Sequence, residues 1–168
     1  MRLVLLLLGA SIVSGCSHYQ LGTGAKSPLA FHTLYVAPVA NKSLLPQAQA
    51  IVSERVRDAF ARDGRVALAA AGDAADATLE VTLTDYHREV AAARAGDTGL
   101  ARKFNLILTA SCTLRDHRAG KVLFENRTVS TSLEAFTDQG QLQAEYEAVP
   151  LLASALADKI THAALDTW

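Results

Sequence analysis

Two stretches of this chain alternate apolar and polar residues with a period of two. In the first, Ala77, Leu79, Val81 and Leu83 alternate with Thr78, Glu80, Thr82 and Thr84. In the second, Phe104, Leu106, Leu108, Ala110, Cys112 and Leu114 alternate with Asn105, Ile107, Thr109, Ser111 and Thr113. Such a period places every other side chain on one face of a strand, and it marks half-buried strands of an antiparallel sheet. Residues 89–103 join the two runs, so a hairpin with a long mobile loop is expected. Residues 116–120 read as a turn and 121–132 as a further strand. In that strand Val122 and Phe124 share a face with Asn126, while Val129 lies on the other. A bulge near Asn126 accounts for the switch.

Around these strands the period changes. Leu34-Tyr35-Val36-Ala37-Pro38-Val39 reads as a strand that lies at an edge or ends at Pro38, because proline has no ladder donor. Over residues 47–62, Ala48, Ile51, Val52, Val56, Ala59 and Phe60 form a stripe at helical spacing, with Glu54, Arg57, Asp58 and Arg62 opposite. Pro46 suits the first turn of that helix and Gly64 its end. Residues 66–69 suit a short strand, and Gly72, Asp73 and Asp76 then break the chain. Residues 142–166 read as a second helix with Leu152, Leu156 and Ile160 in its stripe. Pro150 either starts or kinks that helix, and a start near Pro150 after a loose helical turn is the expectation. Alanine is abundant, so propensity alone overstates helix here. The order strand, helix, strands, helix implies an α+β fold, with two helices packed on one face of a mixed, mostly antiparallel β-sheet, a two-layer sandwich.

The N-terminus has a different logic. Arg2 precedes a short apolar run, and small residues then lead to Cys16, the layout of a secretory signal. The run is too short for a spanning helix, which needs roughly 20 apolar residues. Val13-Ser14-Gly15-Cys16 resembles the lipobox of bacterial lipoproteins, in which the cysteine is acylated and becomes the first mature residue. Several acyl chains hold a protein stably on a membrane where one does not. Ser17, with no Asp after the cysteine, resembles an outer-membrane address. The expected organisation is a signal peptide over 1–15, a lipidated tether over 16–32 and a single α+β domain over 33–168.

Composition removes several function classes. The formal net charge is −1, so no basic excess points to nucleic acid. Cys112 has no partner once Cys16 is acylated, and it sits in an apolar alternation that suits a buried inert thiol. His18, His32, His87, His117 and His162 show no metal-ligand spacing, and there is no Cys-x-x-Cys, so no metal is expected. Gly22-Thr23-Gly24-Ala25-Lys26-Ser27 fails the spacing of a phosphate loop, and no nucleophile elbow occurs, so no catalytic residues are assigned. Asp85 and His87 share a strand face as a structural pair or as exposed residues.

These residues resemble the LptE family of lipopolysaccharide-assembly lipoproteins. The likeness begins at Cys16-Ser17-His18-Tyr19-Gln20-Leu21-Gly22 and continues in Leu34-Tyr35-Val36-Ala37-Pro38-Val39-Ala40-Asn41-Lys42. It includes residues 74–86 and 108–125, with Asp116 and Gly120-Lys121 at the turn. Ser17-His18 departs from the glycine often found after the cysteine. The resemblance implies a non-enzymatic outer-membrane lipoprotein with no cofactor beyond the lipid on Cys16. It also implies a β-barrel translocon as partner, which the chain plugs and helps assemble, and contact with lipopolysaccharide on its way to the outer leaflet.

Two sets of residues carry candidate contacts. Thr82, Thr84, Ile107, Thr109 and Ser111 belong to a hydroxyl-rich face, expected to include Thr78 and Tyr86 and to have Glu80 as its only clear charge. Such a face suits the polar interior of a barrel, although β-propensity alone also accounts for threonines. Arg88, Arg94, Arg102 and Lys103 are expected to lie near one another around the hairpin loop. Phosphates of lipid A suit such cations, and ordinary solvated loop charge is the plainer account. A second functional class stays open: a lipoprotein that regulates a periplasmic cell-wall enzyme or forms part of a secretion channel. A hydrolase comes last, for want of a nucleophile motif.

Overall fold

The computed structural model describes residues 29–93, 101–136 and 141–166. The expected signal peptide, Cys16 and most of the tether therefore lie outside the described residues, as does Arg94. The elements in order are β1 (Thr33–Val36), β2 (Ala40–Asn41), α1 (Ala48–Asp63), β3 (Ala67–Leu68), a short 3₁₀ turn (Gly72–Ala74), β4 (Ala77–Ala93), β5 (Ala101–Asp116), β6 (Lys121–Phe136) and α2 (Gln141–Leu165). They form the expected α+β fold, with a single sheet ordered β3-β1-β4-β5-β6 and β2 added to β4. The sheet is mixed. β1 runs parallel to β3 and β4, β2 runs parallel to β4, and β4, β5 and β6 form an antiparallel meander.

β1 lies inside the sheet and stops before Pro38. Pairing to β4 resumes at Ala40, and Ala37 N and Lys42 N still donate to Leu79 O and Leu83 O, at 3.0 and 2.8 Å. Asn41 then shapes the entry to α1. Its Nδ2 donates to Leu45 O at 3.0 Å, and its Oδ1 accepts from Ser43 N at 2.8 Å. The expected stripe of α1 faces the core: Ala48, Val52, Val56, Ala59 and Phe60 are buried and Ile51 is packed against them. Gly64 ends the helix at φ 69, a left-handed conformation that suits glycine.

The core lies between the helices and one face of the sheet. Leu79, Leu83, Leu106, Leu108, Leu114, Leu152 and Leu156 are all buried within it. Phe31, placed by sequence in the tether, is 1% exposed, so the packed domain begins at or before it. Asp76 ties this N-terminal entry to the start of β4. Its Oδ2 accepts from His32 N at 2.8 Å and Thr33 N at 3.0 Å, and its own N donates to Thr33 Oγ1 at 2.8 Å. These backbone donors hold the Asp76 carboxyl below its usual range. At the other end of the helices, Arg65 bridges Asp63 and Asp166 at 2.7 and 2.6 Å and closes α1 onto α2.

Three expectations change. The connection expected over 89–103 is mostly strand, since β4 runs to Ala93 and β5 starts at Ala101. α2 passes through Pro150 instead of starting there. Ala148, Val149, Leu152 and Ala153 are buried on both sides of the proline, so packing holds the helix across the missing N–H donor. Tyr86 belongs to the helix side of the sheet, because a register shift between Leu83 and Asp85 reverses the alternation at Thr84. The expected bulge in β6 is present. Cys112 pairs with Arg127 and Leu114 with Phe124, and Asn126 takes φ 52 while its N donates to Thr113 Oγ1 at 3.2 Å.

Candidate functional site

The sheet face turned away from the helices is the candidate surface. Thr82 lies opposite Ser111, and Ser111 opposite Thr128. Thr109 lies opposite Asp85 on one side and Ser130 on the other, and Ile107 lies between His87 and Ser132. Thr82, Ile107, Thr109 and Ser111 are half-buried, and Thr84 is exposed at the bulge. Residues grouped by their alternation alone are thus contiguous in the fold. That grouping missed Thr128, Ser130 and Ser132, whose own alternation extends the hydroxyl belt across β6. Thr109 Oγ1 lies 3.1 Å from Ser130 Oγ, and Thr84 Oγ1 donates to the Thr109 backbone carbonyl at 3.3 Å.

Charges flank this belt. The bulge at Thr84 turns Asp85 and His87 onto the same face, and they meet, with His87 Nδ1 2.6 Å from Asp85 Oδ2. His87 Nε2 lies 3.6 Å from Glu89 Oε1. Lys103 pairs with Glu134 at 2.6 Å and sits 5.5 Å from the Phe136 ring centre. Glu80 is therefore not the only charge on the face, because alternation read without the bulge assigns β4 beyond Thr84 to the wrong side.

Of the four expected cations, Arg88 and Lys103 have described side chains, and these two do not meet. Arg88 lies opposite Leu106, on the helix side, and binds Glu145 of α2. Lys103 occupies the other face, beside Glu134. Arg102 is placed by its backbone in β5. Burial pushes the Glu145 carboxyl up, but hydrogen bonds from Gln141, Arg88 and Tyr86 outweigh it and hold the group below its usual range. The Tyr86 hydroxyl is raised to about 12 by burial and by the Glu145 charge. Cys112 is buried, and its thiol is pushed up to about 12, which makes it inert as a nucleophile. Among the described residues no group of three or more His, Cys, Asp or Glu side chains converges to hold a metal ion. Among them, too, no helix is long and apolar enough to cross a membrane.

Solved structures share this fold at low identity. A minor lipoprotein from Acinetobacter baumannii superposes with TM-score 0.54 at 16% identity, covering 82% of this chain and 96% of that one. A protein from Xanthomonas campestris gives TM-score 0.57 at 14% identity over 85% of this chain and 88% of its own. An uncharacterised lipoprotein B from Nitrosomonas europaea gives 0.50 at 17%, covering 84% of each chain. No curated protein matches the sequence. The family described as lipopolysaccharide-assembly, LptE, matches residues 31–164, from the buried Phe31 to the last turn of α2. The chain belongs to the LptE family, whose role lies in lipopolysaccharide assembly.

Proposed function

We propose that the chain is held in the outer membrane by lipid on Cys16. Its hydroxyl-lined sheet face lies against the inner wall of a β-barrel translocon, which it plugs and helps assemble. The belt of Thr82, Thr109, Ser111, Thr128 and Ser130 carries this reading. It is polar enough to match a barrel lumen and forms one contiguous patch across β4, β5 and β6, with Asp85 and His87 on its β4 side. Dimensions support it. β4, β5 and β6 hold 17, 16 and 16 residues. At about 3.3 Å per residue each is roughly 50 Å long, more than the ~30 Å hydrocarbon core that a barrel crosses. The same assembly delivers lipopolysaccharide to the outer leaflet.

Thr82→Lys and Thr109→Lys test the placement. Folding of both variants stays intact, since neither side chain is in the core, and the amount of barrel that co-purifies falls. Normal co-purification of both removes the proposal.

Within this reading, lipid A phosphates meet the cations near the far end of the β4–β5 hairpin. Arg88 is drawn to the helix side by Glu145, while Lys103, though paired with Glu134, lies on the outer face, so Lys103 and its neighbour Arg102, with Arg94 eight residues before Arg102 in sequence, are the better candidates. Joint replacement of Arg102 and Lys103 by Ala then weakens lipopolysaccharide binding, and unchanged binding removes the contact.

A further inference from the structure

Among the described residues β6 is an edge of the sheet. Lys159 Nζ donates to Ser130 O at 2.7 Å, so that carbonyl turns away from β5. Backbone groups alternate in direction along an antiparallel strand, which turns Ser132 and Glu134 outward as well. α2 covers this edge unevenly. Its C-terminal half runs beside β6, where Lys159 holds Ser130 and Arg127 Nη1 donates to Ala163 O at 2.7 Å. In its N-terminal half, Arg88 and Tyr86 of β4 hold Glu145.

Between this half and the end of β6 lies a groove of ≈ 190 Å³. Leu133, Ala135, Ala144, Ala148 and Leu151 line it, and Glu134 and Glu147 stand at its rim. Phe136 and Leu151 are 60% and 61% exposed beside it, an apolar surface next to an unpaired strand edge. We propose that this groove and the edge receive an extended segment of a partner protein as an added strand. Ser132 and Glu134 supply main-chain hydrogen bonds. The groove takes small aliphatic side chains at alternate positions, as in other strand additions. The described hydrogen bond to the Glu147 carboxylate comes from a neutral donor, Gln143, at 2.6 Å, so its charge stays to meet a Lys or Arg of the segment. A second copy of this chain fits less well. Two-fold pairing of β6 centred here brings Glu147 of the two copies to the same seam, with no described cation beside either. The proposal is independent of the hydroxyl face.

The test uses the full chain in detergent micelles with the peptide acetyl-Lys-Val-Thr-Val-Thr-Val-amide, and the same peptide N-methylated at alternate amides. Hydrogen exchange at the Ser132 and Glu134 amides is expected to slow about tenfold or more with the first peptide and to be unchanged with the second. Ala144→Trp fills the groove and abolishes the slowing. Leu151→Asp, at an exposed position, weakens it without touching the core. No slowing with millimolar peptide overturns the proposal, as does equal slowing by both peptides. Slowing that grows with protein concentration in the absence of peptide assigns the edge to a second copy and overturns it too.

Discussion

The guanidinium of Arg88 on β4 is bound to the carboxylate of Glu145 in the first turns of α2, a pairing between residues 57 apart in the chain. It lies on the helix side of the sheet only because the bulge at Thr84 reverses the strand. One irregularity in β4 thus turns an expected loop cation into a tie between the sheet and the N-terminal half of α2.

Removing the anchor tests that relationship. Arg88→Ala is expected to lower stability by about 1 kcal/mol, a modest loss because the pair is partly exposed. Glu145→Gln is expected to cost a similar amount, and the double variant no more than either alone. Urea midpoints of the three variants check this. Additive losses contradict a direct pair.

The carboxylates of Asp63, Asp76, Glu145 and Asp166 are all held below their usual range. Arg65 does this for Asp63, the His32 and Thr33 amides for Asp76, and Arg65 and His162 for Asp166. At Glu145, burial opposes the shift, and bonds from Gln141, Arg88 and Tyr86 prevail. Their folded pKa values lie below the unfolded ones, so the unfolded chain binds more protons as the pH falls. Stability from these groups is fully present above the unfolded carboxylate range of about pH 4, and is lost as pH drops through the folded values. The denaturant midpoint is expected to be flat from about pH 7 to pH 5 and to decline below it. Asp76→Asn is expected to shallow that decline, and denaturation curves across this range check both.

Asn126 sits at φ 52, where a β-branched residue is strained. Asn126→Gly is expected to leave stability within about 0.5 kcal/mol, while Asn126→Val costs about 1–2 kcal/mol. Thermal unfolding of the two variants separates a backbone requirement from a side-chain one.

Much of the fold was legible because β4 before Thr84, the core-facing side of β5 and the stripe of α1 keep their periods without interruption. Readability stopped where a period breaks without glycine or proline to mark it. The Leu83-Thr84-Asp85 stretch contains no such signal, so alternation alone places Tyr86 on the hydroxyl face and leaves Glu80 as its only charge. The Asn126 bulge was legible because apolar residues change face across it. The ends of β4 and β5 were not, since Ala91, Ala92, Ala93 and Ala101 carry no strand pattern and favour helix by propensity. Pro150 misled for a related reason. A local rule places helix starts at proline, and the buried residues on either side override it. Of the candidate surface, β4 and β5 contributed residues that sequence named. Thr128, Ser130 and Ser132 come after the bulge and waited on its register.

Cys112 and Cys16 are the chain's two cysteines. Burial pushes the Cys112 thiol up to about 12, so it is expected to be silent to an aromatic disulfide reagent in the folded protein. The mature chain from its own membrane is expected to release one reactive thiol on denaturation. Two reactive thiols mean that Cys16 is not acylated.

The barrel-facing role of the sheet is tested most directly by photo-crosslinking in the outer membrane, with the reactive residue in place of Thr109. A control replaces Leu44, which is 88% exposed in the loop leading to α1. The account expects an adduct with a large β-barrel protein from Thr109 and none from Leu44. No adduct from Thr109, or an adduct with a cell-wall synthase or a second copy of the chain, contradicts it.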